Sequence, residues 1–408
     1  MLSSPLVRGC CRPTLLIVLC LAMVLAGCAT AQRSAYDVAR VQTAQVPGFE
    51  GMRAFADAPP QSIASPAQWL VGTASEDVHL LALSGGGSGG AFSVGVLSAW
   101  TKRGDRPEFE VVTGVSTGAL IAPFAFLGSR YDETLKELYV GDGARDLVDF
   151  NWKTGGLLGA SVLKGQALRR MVERHVTRSL LDEIATEHRK GRRLFVVTTN
   201  LDAQRPVTWN MGAIANSGRP DAVALFQNVL LASASIPGVF PAVMIRARAG
   251  DTNIEEMHSD GGSSMQFFTL PEDTLTDARI RLPGAKRFHI NVIVNNALIP
   301  EFATVNNRTL PVIGRAYAAM VKSQTRQGLL ALYNFAQRSK SDFKVASIDQ
   351  QVPYSVLDPF NQTYMQTVYQ RGYSLTMEGK VWHDRPVFSS DTGSQPVSDT
   401  VAASDPIQ

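Results

Sequence analysis

The chain has 408 residues, of which 45% are hydrophobic and 18% charged, with a net charge of +3 at pH 7. This is ordinary globular composition, apolar enough to bury a sizeable core, and the length allows one large domain or two ordinary ones. A small charge with no basic stripe in any segment argues against nucleic acid as a partner.

In chain order, Arg8 and Arg12 precede the apolar run from Leu15 to Ala26, which closes on Leu25-Ala26-Gly27-Cys28. A positive n-region, a short apolar h-region and small residues at the end describe a secretory signal over 1–27. The run is too short to span a bilayer as a helix. The cysteine directly after the small residues resembles a bacterial lipobox. That resemblance implies that Cys28 is lipidated, that the domain sits in the cell envelope, and, from the non-acidic Ala29, that it is sorted to the outer membrane. The cysteines are Cys10, Cys11, Cys20 and Cys28, so no disulfide or thiolate metal site is expected in the mature domain. No later stretch approaches ~18 consecutive apolar residues, the minimum for a membrane span.

Residues 28–77 read as a linker and N-terminal approach, interrupted by Pro47, Pro59, Pro60 and Pro66. His79 to Ser84 then reads as a buried strand stopped by glycines. Ala91 to Trp100 follows as a helix, Phe109 to Thr113 as a strand and Thr117 to Leu127 as a helix. That alternation implies a mostly parallel central sheet flanked by helices. Further helices are expected over Val162 to Thr177, Leu180 to Lys190, Val223 to Ser235 and Leu310 to Arg338. Further strands are expected over Leu194 to Thr199 and His289 to Val294. The tail from Ser389 to Gln408 is rich in Ser, Thr, Asp and Pro and is expected to be disordered.

Three segments carry candidate chemistry. Gly85-Gly86-Gly87-Ser88-Gly89-Gly90 lies between a strand and a helix, where glycines turn the backbone sharply and expose N–H groups to an anion. Gly114-Val115-Ser116-Thr117-Gly118 also joins a strand to a helix. In that context GxSxG is a nucleophile elbow, whose plain alternative is a glycine-flanked turn with a serine cap. Asp260-Gly261-Gly262 is an acidic turn, and Asp-Gly is a common turn choice in any protein.

Taken together, the three blocks resemble the patatin-like phospholipase family, which carries a glycine-rich loop, GxSxG and Asp-Gly-Gly in this order. Thr198-Thr199-Asn200-Leu201-Asp202 and the stretch from Ala232 to Pro241 resemble it too, and the likeness covers roughly residues 79 to 275. It implies a three-layer α/β fold and a serine lipid acyl hydrolase of the carboxylic ester class. Ser116 is then the nucleophile and Asp260 its proton acceptor in a dyad, with an oxyanion loop of Gly85, Gly86, Gly87, Ser88 and Gly90. Gly114 and Gly118 shape the elbow, and Gly261 and Gly262 the acidic turn. Family members often carry Arg or Lys where this chain has Gly89; the backbone donors do not depend on that side chain.

The expected organisation is a catalytic domain over 78–275, a C-terminal part over 276–388 packing on the same domain, and the tail from 389. The expected partners are a lipid or phospholipid substrate and, through the anchor, a membrane; no cofactor or metal is expected. Three alternatives remain open. A Ser116–Asp260–His289 triad follows the α/β-hydrolase order. A nucleotide module would use GxGxxG at Gly85, Gly87 and Gly90, with Glu108 or Glu110 as the ribose acid. A lipid-binding lipoprotein would keep the fold with a silent site. Of the other histidines, His175 and His188 read as solvated, His79 as half-buried, and His258 has no assigned role.

Overall fold

The computed structural model of the chain describes residues 33, 35–58, 77–141, 156–276, 287–302, 304–349, 352 and 361–388. The expected signal peptide, Cys28 and the tail from 389 lie outside the described residues. The chain opens with α1 (Val38–Thr43), β1 (Arg53–Phe55), β2 (Asp77–Leu83), α2 (Gly90–Arg103), β3 (Val111–Val115) and α3 (Thr117–Leu127). It continues through α4 (Asp132–Val140), α5 (Gly156–His175), α6 (Arg178–Arg189), β4 (Arg193–Asn200), β5 (Arg205–Asn210), α7 (Met211–Asn216) and α8 (Ala222–Ser233). The remainder comprises β6 (Val243–Ala249), β7 (Thr252–Asp260), α9 (Glu272–Thr276), β8 (Arg287–Ala297), α10 (Thr309–Ser339), β9 (Asp342–Ile348) and α11 (Gln362–Met377).

The sheet runs β1-β5-β4-β3-β2-β8-β9, with β4, β3, β2, β8 and β9 mutually parallel and with β5, toward one edge, antiparallel to both its neighbours, β4 and β1. Period-two alternation sorts its side chains into two cores. Leu81, Leu83, Val112 and Val196 face a layer that includes α2, α3, α6, α8 and α11. Leu80, Ala82, Val111 and Val197 face the second half of α10 and the segment around Phe268. The fold is thus α/β, a mostly parallel sheet between helical layers. The contact of α2 with α11 is close because Gly95 and Gly372 face each other's helix: an added Cβ would lie 2.1 Å from the Tyr369 carbonyl oxygen and 2.7 Å from that of Phe92.

The N-terminal approach differs from expectation. Residues 35–58 are part of the fold: β1 extends the sheet beyond β5, Gln45 pairs with Arg248, and Val41, Ala44, Val46 and Phe49 are buried. Arg33 donates two hydrogen bonds to Asp202 at 2.9 and 2.6 Å, Tyr36 donates another, and Arg53 forms a buried ion pair with Glu256. Proline punctuation suggested a loose segment, but these long-range polar clamps override it. A further difference is β7, which takes the place beside β4 where β3 ends. Val197 of β4 pairs with Val115, and the next residue, Thr198, pairs with Asp260.

Candidate active site

That register brings residues 144 positions apart in sequence into contact. Ser116 follows the last residue of β3, Asp260 is the last of β7, and the Ser116 hydroxyl donates to Asp260 Oδ2 at 2.6 Å. Both residues are buried. Ser116 has φ 56° and ψ −123°, a conformation costly for a non-glycine residue and held by its surroundings. Its N–H donates to Ser233 Oγ at 3.0 Å, and that hydroxyl donates to the Val197 carbonyl at 2.6 Å. The elbow glycines have no room for a side chain. A Cβ on Gly114 would lie 2.4 Å from the Gly118 carbonyl oxygen, and one on Gly118 2.3 Å from that of Leu83.

Asp260 is held from three directions. The Gly262 N–H donates to its Oδ1 at 2.7 Å, its own N–H donates to the Ser235 carbonyl at 3.0 Å, and Thr199 Oγ1 donates to its carbonyl at 2.8 Å. A Cβ on Gly261 would strike the Val197 carbonyl at 2.4 Å. Burial pushes the Asp260 carboxyl up to about 7, against the downward pull of the hydrogen bonds from Ser116 and Gly262. Both a buried serine–carboxylate hydrogen bond and a carboxyl poised near neutrality suit proton transfer.

The glycine-rich loop lies beside this pair. An added Cβ on Gly85 would sit 3.3 Å from Ser116 Cβ. Gly86 and Gly87 have φ 154° and 55°, and no hydrogen bond from either amide is found among the described residues. The loop is fixed by two residues that sequence reasoning missed. Asn295 donates to the Ser84 carbonyl at 2.8 Å and accepts from Ser93 Oγ at 2.7 Å. Gln266 accepts from the Gly85 N–H at its carbonyl, 3.0 Å, and donates to the Gly262 carbonyl at 2.6 Å. Asn295 is far from any motif, and Gln266, four residues after Gly262, is a single polar residue that no local pattern marks.

Gly89 has a steric reason: its Cβ would fall 2.0 Å from the Asn295 carbonyl oxygen, so this backbone path leaves no space for Arg or Lys. Gly90 presses on Thr117 in the same way, at 2.2 Å from Oγ1. Ser88, expected in the loop, is fully buried and lines neither cavity described next.

Two cavities meet at Ser116, Gly87 and Ile236. One is narrow and walled by apolar side chains including Leu120, Phe124, Leu168, Met171, Leu230 and Phe240. The other is wider and mixed; Gly85, Gly86, Asp260, Gln266, Glu301 and Lys322 line it.

The triad alternative is corrected by register. His289 pairs with His79 near the start of β2, and β2 reaches Gly114 only at Leu83. Four residues of strand are ~13 Å, so His289 stands at the opposite edge of the sheet from the dyad. It stacks on His79 with ring centroids 4.5 Å apart, and its Nδ1 lies 2.7 Å from Asp342. The nucleotide alternative fails for a related reason. Glu110 accepts from the His79 N–H at 2.6 Å, at that same far edge, where it cannot meet a ribose beside the glycine loop.

His175 and His188 are half-buried instead of solvated. His175 lines the apolar cavity, and burial pushes His188 down to about 4. His258 is buried between Thr198 Oγ1 and Glu256, tying β7 to β4. No group of His, Cys, Asp or Glu among the described residues is placed to hold a metal ion. Among them also, no helix is long and apolar enough to cross a membrane.

Fold and site define an α/β protein with a buried Ser–Asp pair on a strained strand-to-helix turn. The family model for patatin-like phospholipases matches residues 81–306, and the chain belongs to that family. Two patatin-like phospholipase domain-containing proteins of Cryptococcus neoformans, CNBE2340 and CNE02340, are each 30% identical to it over 199 residues, 47% of this chain. The match spans only 21% and 20% of those relatives' own lengths. Among solved structures, VipD from Legionella pneumophila aligns over 76% of this chain and 68% of its own, at 14% identity and a TM-score of 0.35.

Proposed function

We propose that the protein is a serine lipid acyl hydrolase of the phospholipase A or esterase type, acting through a Ser116–Asp260 dyad in lipid breakdown. The observation that carries this reading is the buried 2.6 Å hydrogen bond from Ser116 to Asp260, placed where an apolar cavity meets a wider mixed one. Ionised Asp260 takes the hydroxyl proton as Ser116 Oγ bonds to the ester carbonyl carbon. The carbonyl oxygen becomes an oxyanion facing the Gly86 and Gly87 amides; one such donor is typically worth ~3 kcal/mol. Collapse breaks the bond to the alkoxy oxygen, and Asp260 returns its proton to the departing alcohol. Water then repeats the sequence on the acyl-enzyme, releasing the fatty acid and restoring Ser116. The apolar cavity takes the acyl chain and the mixed cavity the alcohol side. Cys28 carries the lipid anchor that holds the domain at the envelope membrane, on the outer-membrane side of sorting.

Fluorophosphonate labelling and lipid hydrolysis by the purified chain test this. Ser116 must label, Ser116→Ala must abolish both labelling and fatty-acid release, and a native chain that neither labels nor releases fatty acid is a silent lipid-binding protein.

A further inference from the structure

α10 is 31 residues long, yet only its second half belongs to the core. No described residue from Thr309 to Gln324 is buried, and the first that is buried is Thr325. A surface helix normally turns polar residues outward. Here the outward face carries Val312, Ala316, Ala319 and Met320 at helical spacing, with Ile313 beside them. Met320 is 68% exposed and Ile313 57%, and Phe302, in the loop before the helix, is 93% exposed. Single exposed apolar residues need no explanation, but a contiguous ridge marks a contact surface.

The charge around the ridge says what it contacts. From 302 to 341 the chain has six Lys or Arg and no Asp or Glu. Arg315 and Lys322 stand seven residues apart, which on a helix sets them in one row alongside the apolar face, and the exposed Arg308 caps the helix start. Arg315 donates to the Glu301 carbonyl, and Lys322 donates to the Ile299 carbonyl at 2.6 Å and meets the Glu301 carboxylate at 3.4 Å. These bonds fix the loop that presents Phe302. The ridge is also the rim of the wide cavity, since Ile313, Tyr317 and Val321 line it as far as Ser116.

We propose that Phe302 and the outer face of α10 dock on an anionic phospholipid bilayer, with the apolar side chains in the acyl boundary and the basic row among the headgroups. The docked surface places the cavity mouth against the lipid, and in this respect the proposal rests on the lipid-hydrolase reading. A second copy of the chain fits poorly, because a two-fold contact brings the same cations face to face.

The test uses the full chain carrying Phe302→Trp or Met320→Trp, bound to vesicles of phosphatidylglycerol with brominated acyl chains. The added indole is quenched beyond the background of the five native tryptophans, and less so on phosphatidylcholine. A Phe302→Glu, Met320→Glu variant loses ~10-fold or more of its turnover on phosphatidylglycerol vesicles but keeps its turnover of a monomeric short-chain ester. Unquenched indoles on vesicles that have bound the protein overturn the proposal. So does a native dimer in sedimentation velocity that the glutamate variant dissolves, which makes the ridge a subunit interface. Quenching in a chain without ester turnover leaves the docking intact and removes the hydrolase reading instead.

Discussion

Asp260→Asn separates the chemistry of the site from its cost to the fold. The substitution keeps shape: Asn Oδ1 accepts from the Gly262 N–H, and its amide donates to Ser116 Oγ where the carboxylate accepted. In the native chain the buried carboxyl rises from 3.8 to about 7, which at ~1.4 kcal/mol per pH unit is worth ~4 kcal/mol. Between these values the folded state keeps a proton that the unfolded state has released, so native stability falls as pH rises through the window. Below about pH 4 both states are protonated and the penalty vanishes; above about pH 7 it is complete. Asn carries no such dependence. Asp260→Asn is therefore expected to match the native chain within ~1 kcal/mol near pH 4 and to exceed it by up to ~4 kcal/mol above pH 7, while hydrolysis falls by about 10³-fold or more. Urea unfolding of both chains across this range gives the difference at each pH. A stability difference that does not change with pH refutes the reasoning, since the carboxylate would then be ionised in the fold without cost.

The ionisation that destabilises the fold should switch the chemistry on: kcat/KM for a soluble short-chain ester rises with pH and levels above about 7, and a flat profile across neutrality removes Asp260 as the base. His289→Ala should leave most activity in place, because the imidazole supplies only a stack on His79 and a bond to Asp342, worth roughly 1 kcal/mol of stability; activity falling to the level of Ser116→Ala in a folded protein brings the triad back. Met171→Trp narrows the apolar cavity and should lower kcat/KM for long acyl chains by ~10-fold with short chains little affected; an unchanged chain-length profile means that acyl chains bind elsewhere. Mass spectrometry of the mature N-terminus should find diacylglycerol on Cys28, and an unmodified N-terminus starting elsewhere defeats the anchor.

The parallel core was legible because β2, β3, β4 and β8 are short apolar runs between glycines and amphipathic helices, where period and propensity agree. The elbow and the acidic turn were legible as motifs in order. β7 was not, because Thr-Asn-Ile-Glu-Glu-Met-His-Ser-Asp looks like an exposed polar stretch. Its Glu256, His258 and Ser259 are buried all the same, each satisfied by a partner distant in sequence: Arg53, Thr198 and the Ser235 carbonyl. α11 has helical spacing, but its partner face on α2 depends on Gly95 and Gly372 meeting across the chain. Asn295 and Gln266 were illegible for the same reason, since their value comes from Ser84 and Gly85, which only the fold brings near.

The attachment of β7 also divides the site mechanically. Beside β4 it holds by Thr198–Asp260, Thr199–Ser259 and Asn200–His258, and its remaining ladder runs to β6 alone. Ser116 belongs to the parallel core, while Asp260 rides on the end of a hairpin. Local opening of that hairpin must break the buried Arg53–Glu256 pair and the His258–Thr198 bond, yet it can occur short of global unfolding. It would part Ser116 from Asp260 while every parallel strand stayed paired. Under the proposed dyad, the fraction of competent molecules is then set by how firmly the hairpin is seated, and a chain can retain its full melting temperature while its hydroxyl stands idle.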